Sequence, residues 1–334
     1  MKNFSHFVVA FIAVLIVSCS SKEKTAVITG ETMGTTYTIK IAARVPNKAK
    51  LKAQIDSLLV AVNMSMSTYI PESEISRFNK FKDTTWFEVS RDFAFLVKQA
   101  LEVSETFNGY YDVTVGPLVN LWGFGPTRKT EIIPSQEEID SVKKFVGYKL
   151  IEVRENPPAI RKKDVRVYID LSSIAKGYGV DAVAKFLLRK GYENHLTEIG
   201  GELRACGRKN ENSPWLVGVE NPNEKGVATV IALENKSVAT SGDYLNYFEY
   251  EGKRFSHTIN PATGKPITHK LASVSVVCNS CALADAYATA FDVIGDKEGL
   301  EIAKRLHLPV YMIIRDGEKF KTEMTKEFRA LIKN

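Results

Sequence analysis

The sequence predicts an α+β fold in which mixed and antiparallel sheets pack against helices. Three observations carry that expectation. Segments of alternating apolar and polar residues, the pattern of half-buried strands, dominate between Leu196 and Val277. Other stretches place apolar residues every three to four positions, the spacing of one helix face. Their order is irregular, with runs of strands instead of strict strand–helix alternation, which argues against a purely parallel sheet. No Gly-x-Gly-x-x-Gly follows a strand, and no Gly-x-x-x-x-Gly-Lys-Ser/Thr occurs. A Rossmann or P-loop nucleotide site is therefore not expected.

The N-terminus reads as an export signal. Met1-Lys2-Asn3 carries one positive charge, and an apolar run from Phe7 to Val17 follows, too short to span a bilayer. Ile16-Val17-Ser18-Cys19 matches a lipobox, in which the cysteine becomes the lipid-bearing first residue. The expected division is a lipoprotein signal over 1–18, a lipidated Cys19 with a polar tether over 19–25, and one folded unit over 26–334. That places the chain outside the cytoplasm, anchored to a membrane that faces the periplasm, inner or outer being left open. With 44% hydrophobic and 25% charged residues the remainder is globular. A net charge of +6, dispersed along the chain, gives no case for nucleic acid.

In chain order, Thr35 to Ala43 alternates and predicts a strand. Leu51, Ile55, Leu58, Leu59 and Val62 predict a helix over 47–66, and 91–107 repeats the spacing. Ser135-Gln136-Glu137-Glu138 opens another helix with a capping box. Val165 to Leu171 predicts a strand, followed by a helix from Ser172 to Lys190 stopped by Gly191. Hairpin turns are expected at Glu234-Asn235-Lys236 and at Glu251-Gly252-Lys253. Cys281 to Val293 predicts a helix rich in small residues, Asp296 to Leu306 another, and Val310 to Ile314 a late strand. Cys206, Cys278 and Cys281 remain beside Cys19; the odd count argues against a disulfide framework, and free thiols, a Cys278–Cys281 disulfide or a redox or metal role stay open.

Five segments carry more chemistry than a scaffold needs. Met33-Gly34-Thr35 sets a thioether and bare backbone at the start of a strand, a surface on which a flat ring can lie. Gly109 to Pro117, running on to Trp122-Gly123-Phe124-Gly125-Pro126, is a loop dense in aromatics, which either stack on a heteroaromatic ligand or pack on the core. In Asp170-Leu171-Ser172-Ser173-Ile174-Ala175-Lys176-Gly177 a strand ends at an aspartate, two serines stand where a helix starts, and a lysine follows one turn in. Helix N-terminal amides with a nearby lysine attract phosphate. Ser256 to Gly264 holds His257 beside a tight Pro-Ala-Thr-Gly turn, and two further glycine turns, Glu198 to Gly201 and Ser241 to Tyr244, let backbone approach a ligand closely. In the last segment Asp285 and Thr289 are four apart, so their oxygens share one helix face among alanines. A carboxylate with a hydroxyl is a hard-oxygen pair suited to Mg²⁺. Together the parts suit an aromatic, phosphate-bearing ligand with a divalent cation.

The ordered set of these motifs resembles the ApbE family of FAD:protein FMN transferases. It comprises Met33-Gly34-Thr35, Ser67-Thr68-Tyr69 with Ser76-Arg77-Phe78-Asn79, the Asp112–Pro117 run with Trp122-Gly123-Phe124-Gly125, the Asp170–Gly177 run, Glu198-Ile199-Gly200-Gly201, Ser241-Gly242-Asp243-Tyr244, His257–Gly264, and Ala284-Asp285 with Ala288-Thr289-Ala290. The resemblance implies a T-fold-like core with FAD in a cleft. By motif, Met33, Tyr69, Tyr110, Tyr111, Asp112, Asp170, Lys176, His257 and Ile259 are expected against FAD. Mg²⁺ is expected on Asp285, Thr289 and Ser173, the last through its backbone carbonyl. Some members carry an acidic residue at the Lys176 position, so the partner of Lys176 here is left between a phosphate and a ribose. The implied reaction passes FMN from FAD to a Thr or Ser hydroxyl of an acceptor protein and releases AMP, with Asp285 and His257 as catalytic residues. His257 is the candidate base, and Asp243 or a metal-bound hydroxide are its rivals. The implied acceptors are subunits of membrane redox complexes such as sodium-pumping NADH:quinone reductase. Water in place of the acceptor would make the protein an FAD pyrophosphatase, and no chemistry at all an FAD carrier.

Overall fold

The computed structural model describes residues 25–125, 133–222, 226–242, 247–250, 253–317 and 319–333. The predicted signal, Cys19, Asp243 and the Glu251-Gly252 turn lie outside the described residues. Strands β1 (Ala26–Thr32) and β2 (Thr35–Ile41) form a hairpin. Its turn, Met33-Gly34, has both residues at positive φ (51° and 72°), the geometry that matches the twist of a two-residue hairpin. Helix α1 (Lys48–Met66) is capped by the Asn47 side chain and buries Leu51, Ile55, Leu59, Val62 and Met66, as the spacing requires. There follow α2 (Glu74–Lys80), β3 (Phe87–Glu88), α3 (Arg91–Thr106), α4 (Gly116–Leu121) and α5 (Gln136–Lys143), the last opened by the expected capping box. Strands β4 (Ile151–Glu155) and β5 (Pro158–Lys162) join β3 in a small side sheet, and α6 (Ala175–Arg189) comes next.

Among the described residues eight more strands follow α6 in succession. They are β6 (His195–Ile199), β7 (Glu202–Cys206), β8 (Trp215–Glu220), β9 (Val227–Leu233), β10 (Lys236–Gly242), β11 (Tyr247–Tyr250), β12 (Lys253–Ser256) and β13 (Ile259–Asn260). The chain then runs through β14 (Lys265–Pro266), β15 (Leu271–Cys278), α7 (Cys281–Ile294), α8 (Asp296–Arg305), β16 (Val310–Asp316), β17 (Lys319–Met324) and α9 (Lys326–Arg329).

The core is an antiparallel sheet of eight strands in the order β1-β2-β6-β7-β10-β15-β16-β17. Helices α6 and α7 cover one face of it. The hairpin β8–β9 and α9 cover part of the other, where Trp215, Ile231, Leu233 and Phe328 meet Leu203, Val238, Tyr311 and Ile313. Central strand β15 is therefore buried on both faces from Leu271 to Val277, with Ser273 and Ser275 its buried polar residues. Among the described residues no helix is long and apolar enough to cross a membrane. Cys206, Cys278 and Cys281 are all free thiols.

Three local expectations are corrected. Residues 165–171 form no strand. Val167, Ile169 and Leu171 are buried in alternation, but the backbone of Ile169 is satisfied by the side-chain amide of Asn79, which donates to Ile169 O (2.9 Å) and accepts from Ile169 N (2.8 Å). A side chain replaces the neighbouring strand. Glu234-Asn235-Lys236 is a tight turn but not a hairpin: β9 pairs with β8, whereas β10 pairs with β7 and β15 in the main sheet. Finally, α6 begins at Ala175, and neither Ser172 nor Ser173 caps it.

Candidate active site

The site starts from the way α6 and α7 meet. Gly177 lies so close to the first turn of α7 that a Cβ there would stand 2.3 Å from Cys281 O and 2.7 Å from Ala282 N. At this contact the two helices cap each other with carboxylates. Asp285 of α7 accepts from Gly177 N at 3.0 Å, within the first turn of α6. Asp181 of α6 accepts on one oxygen from Ser280 Oγ (2.7 Å), Cys281 N (2.9 Å) and Ala282 N (3.1 Å), the opening turn of α7. A negative charge at each amino terminus complements both helix dipoles. The cap that no side chain near the start of α6 provides is thus supplied across space.

Strand β7 completes the cluster. Glu202 and Arg204, two residues apart, face the helices. Arg204 Nη1 donates to the second oxygen of Asp181 at 2.7 Å, and Lys176 Nζ pairs with Glu202 Oε1 at 2.5 Å. Glu202 is 2% exposed, and its Oε2 is buried with no hydrogen-bond partner. Burial raises Glu202 to about 8, and neighbouring Asp285 adds to the shift against the opposing pull of Lys176. Burial likewise holds Asp285 above the usual carboxylate range, with Lys176 and the Gly177 N–H working the other way. Burial opposes the Lys176 charge, but Asp285 and Glu202 outweigh it and hold the ammonium above its usual value. Two buried carboxylates share one ammonium, so the cluster has room for further positive charge. Thr289, half-buried, follows Asp285 by one turn on the same face. Hard oxygens in an acidic setting fit Mg²⁺.

Next to this cluster, Ser173 donates from Oγ to Tyr111 Oη at 3.1 Å. Tyr111 is buried, and its hydroxyl is raised by burial, with Asp285 and Asp170 near enough to add to the shift. Asp170 accepts from Ser172 N at 2.8 Å and from Ser172 Oγ, while its own N–H is fixed to Val113 O at 2.7 Å. Tyr168 adjoins Asp170; burial, then Asp170 and Tyr69, push its hydroxyl up to about 12. Met33 lies against α6, its Cε 3.0 Å from where a Cβ on Gly179 would stand. Met33, Tyr111, Asp170, Ser173, Lys176 and Asp285 are therefore gathered on the α6–α7 side of the sheet.

Other expected residues stand differently. Asp112 is buried with its carboxylate spent on its own loop, at Thr114 N (2.8 Å) and Thr114 Oγ1 (2.6 Å), and on Tyr148 N (2.7 Å) of a distant segment, so it braces the loop against that segment. Tyr110 donates to Glu298 of α8 at 3.2 Å, outside the network, and Tyr69 is 67% exposed. Ile259 is buried with Leu118, Trp122 and Ile139. Half-buried His257 meets the Phe124 ring edge-on at 6.4 Å. Its flanking turn is clamped by Trp122 Nε1 to Gly264 O (2.8 Å) and Lys143 Nζ to Ala262 O (2.6 Å).

Sequence reasoning missed Glu202, Asp181 and Arg204. Two signals were available: charged residues opening or interrupting otherwise apolar strands and helices, and Glu202 directly after the Gly200-Gly201 turn.

Fold and site define a class: an antiparallel α+β protein whose two central helices cap each other over a buried cluster of carboxylates and one lysine. The ApbE family model matches residues 33–313. The FAD:protein FMN transferase of Vibrio cholerae serotype O1 is 39% identical over 95% of this chain and 96% of its own. That of Haemophilus influenzae is 40% identical over 99% of this chain and 98% of its own. The solved structure of flavin transferase ApbE from Vibrio cholerae matches with a TM-score of 0.85 at 39% identity, covering 92% of this chain and 99% of that one. The ApbE protein of Thermotoga maritima matches at 0.84 and 28% identity, covering 93% and 100%. The chain belongs to the ApbE family.

Proposed function

We propose that this protein is a Mg²⁺-dependent FAD:protein FMN transferase, exported and anchored through lipid on Cys19. The observation that carries the reading is near full-length similarity to transferases of that name, in a chain whose α7 sets Asp285 against the Gly177 N–H of α6 and carries Thr289 one turn further on. A Thr or Ser hydroxyl of the acceptor attacks the FMN-side phosphorus of FAD. A new O–P bond forms, the bond to the AMP half breaks, AMP leaves, and the hydroxyl proton passes to His257. Histidine suits that task because its ordinary pKa of about 6.5 lies near working pH.

Asp285, Thr289 and the Ser173 carbonyl would hold Mg²⁺, which when bound neutralises charge on the diphosphate and the departing oxygen. Gly177 N–H and Lys176 hold the Asp285 side of the cluster in place. Met33 offers apolar surface to the flavin, and buried Tyr111 holds the Ser173 side chain in place. Positioning and electrostatics, not covalent chemistry, then supply most of the acceleration. The acceptors are subunits of membrane redox complexes of the sodium-pumping NADH:quinone reductase type, met on the periplasmic side.

The test combines the chain from Ser20 onward with FAD, Mg²⁺ and an acceptor subunit that exposes a Thr. In-gel flavin fluorescence and AMP release are followed together. The expected result is one AMP per flavin attached, with both lost in Asp285→Ala. AMP without labelled acceptor would make the protein a pyrophosphatase instead. Bound FAD with neither product would make it a carrier. Fatty-acid labelling lost in Cys19→Ser checks the anchor.

A further inference from the structure

We propose that Asp292 is a positioning residue that ties the Asp285–Thr289 face of α7 to His257. The inference rests on the reading of His257 as the base. Asp285, Thr289 and Asp292 are spaced four and three apart, so they line one face of α7. At 1.5 Å rise per residue, Asp292 lies about 4.5 Å along the axis from Thr289 and roughly 10 Å from Asp285. Asp292 is 0% exposed on a helix whose other residues, Asp285, Tyr287 and Thr289 apart, are cysteine, alanine and larger apolar side chains. A carboxylate withdrawn from water on such a face is costly unless hydrogen bonds hold it.

Its bonds lead straight to the segment that carries His257. Asp292 Oδ2 accepts from Thr258 Oγ1 at 2.9 Å and from Ser241 Oγ, at the end of β10, at 3.2 Å. The backbone of Thr258 is pinned as well, its N–H to Ser256 Oγ (3.1 Å) and its carbonyl to Ile267 N (3.0 Å). The residue after His257 is thus immobilised through both backbone and side chain. The last turn of α7 is itself locked, because Asp292 O accepts from His269 Nε2 at 2.7 Å. One helix therefore carries the oxygens expected to meet the metal and, through Asp292, sets where His257 stands relative to them. A misplacement of about 1 Å between reacting groups costs on the order of 100-fold in rate.

The test uses Thr258→Val, Thr258→Ser and Asp292→Asn beside His257→Ala, with kcat, KM for FAD, FAD binding and melting temperature measured for each. Thr258→Val keeps shape and removes the bond; the expected result is a fall in kcat of about 10- to 100-fold with FAD affinity and KM within about twofold of the parent. Thr258→Ser, which restores the hydroxyl, should return most of kcat. Asp292→Asn, which can still accept, should fall between. Parent-like kcat in Thr258→Val and Asp292→Asn beside an inactive His257→Ala would overturn this inference alone. So would a loss in which melting temperature and FAD binding fall with kcat in the Val and Ser proteins alike. A His257→Ala protein that transfers FMN at the parent rate would remove the base reading, and this inference with it.

Discussion

Replacing Gly177 with alanine drives a methyl group into the backbone of α7. The new Cβ would meet Cys281 O at 2.3 Å, Cys281 C at 2.6 Å and Ala282 N at 2.7 Å. An ordinary carbon–oxygen contact is about 3.3 Å or more, so the helices must separate by about 1 Å. All three obstructing atoms are backbone, so no rotamer change relieves the clash. Overpacking of this kind costs about 1–3 kcal/mol. Separation also stretches the Gly177 N–H bond to Asp285, a charged buried acceptor, whose loss adds roughly 1.5–3 kcal/mol. Helix propensity returns up to about 1 kcal/mol. The net loss is about 1.5–5 kcal/mol, equivalent to a fall in melting temperature of roughly 2–8 °C for a folded chain of this size. Calorimetry and FAD titration in Mg²⁺ check it together, because the same displacement moves Asp285 and should weaken FAD binding at least tenfold. A Gly177→Ala protein that melts within about 1 °C of the parent and binds FAD equally well would refute the account of the α6–α7 contact.

Two further perturbations test the scaffold. His195 is fully buried, its Nδ1 donates to Tyr192 O at 2.9 Å, and burial pushes its pKa down to about 4. Because the folded pKa lies below the unfolded one, the unfolded chain binds the extra proton. Stability is then complete above about pH 6.5 and is lost as pH falls toward 4, by about 3 kcal/mol in all. Urea unfolding of the parent and of His195→Leu at several pH values should show this component only in the parent; equal slopes would count against it. Asp181→Asn leaves Arg204 without its charge partner and weakens the cap on α7, so a loss of about 3–5 kcal/mol is expected. Chemical denaturation measures the loss, and a change below about 1 kcal/mol would show that the reciprocal capping matters little.

Features written in adjacent residues were legible. The spacing of Leu51, Ile55, Leu59 and Val62 specified the buried face of α1, and Ser135 with Glu138 specified the start of α5. Asp285 and Thr289 shared a face by arithmetic alone. Residues 165–171 misled because alternation reports burial and not pairing. The Asn79 amide, 90 residues away in sequence, took the place of a neighbouring strand. The turn at Glu234–Lys236 misled because its residues specify a reversal of direction and not which sheet each arm joins.

The α+β class, the periodic faces of the long helices and the oxygen pair on α7 follow from interactions within a few residues of chain and were legible there. That Asp285 caps α6 while Asp181 caps α7, that Lys176 pairs with Glu202, and that Asp292 reaches Thr258 emerged from the folded chain alone. Those contacts join residues from 26 to 108 positions apart. A buried carboxylate takes its role from whichever donors the fold brings to it, and local sequence carries no record of them.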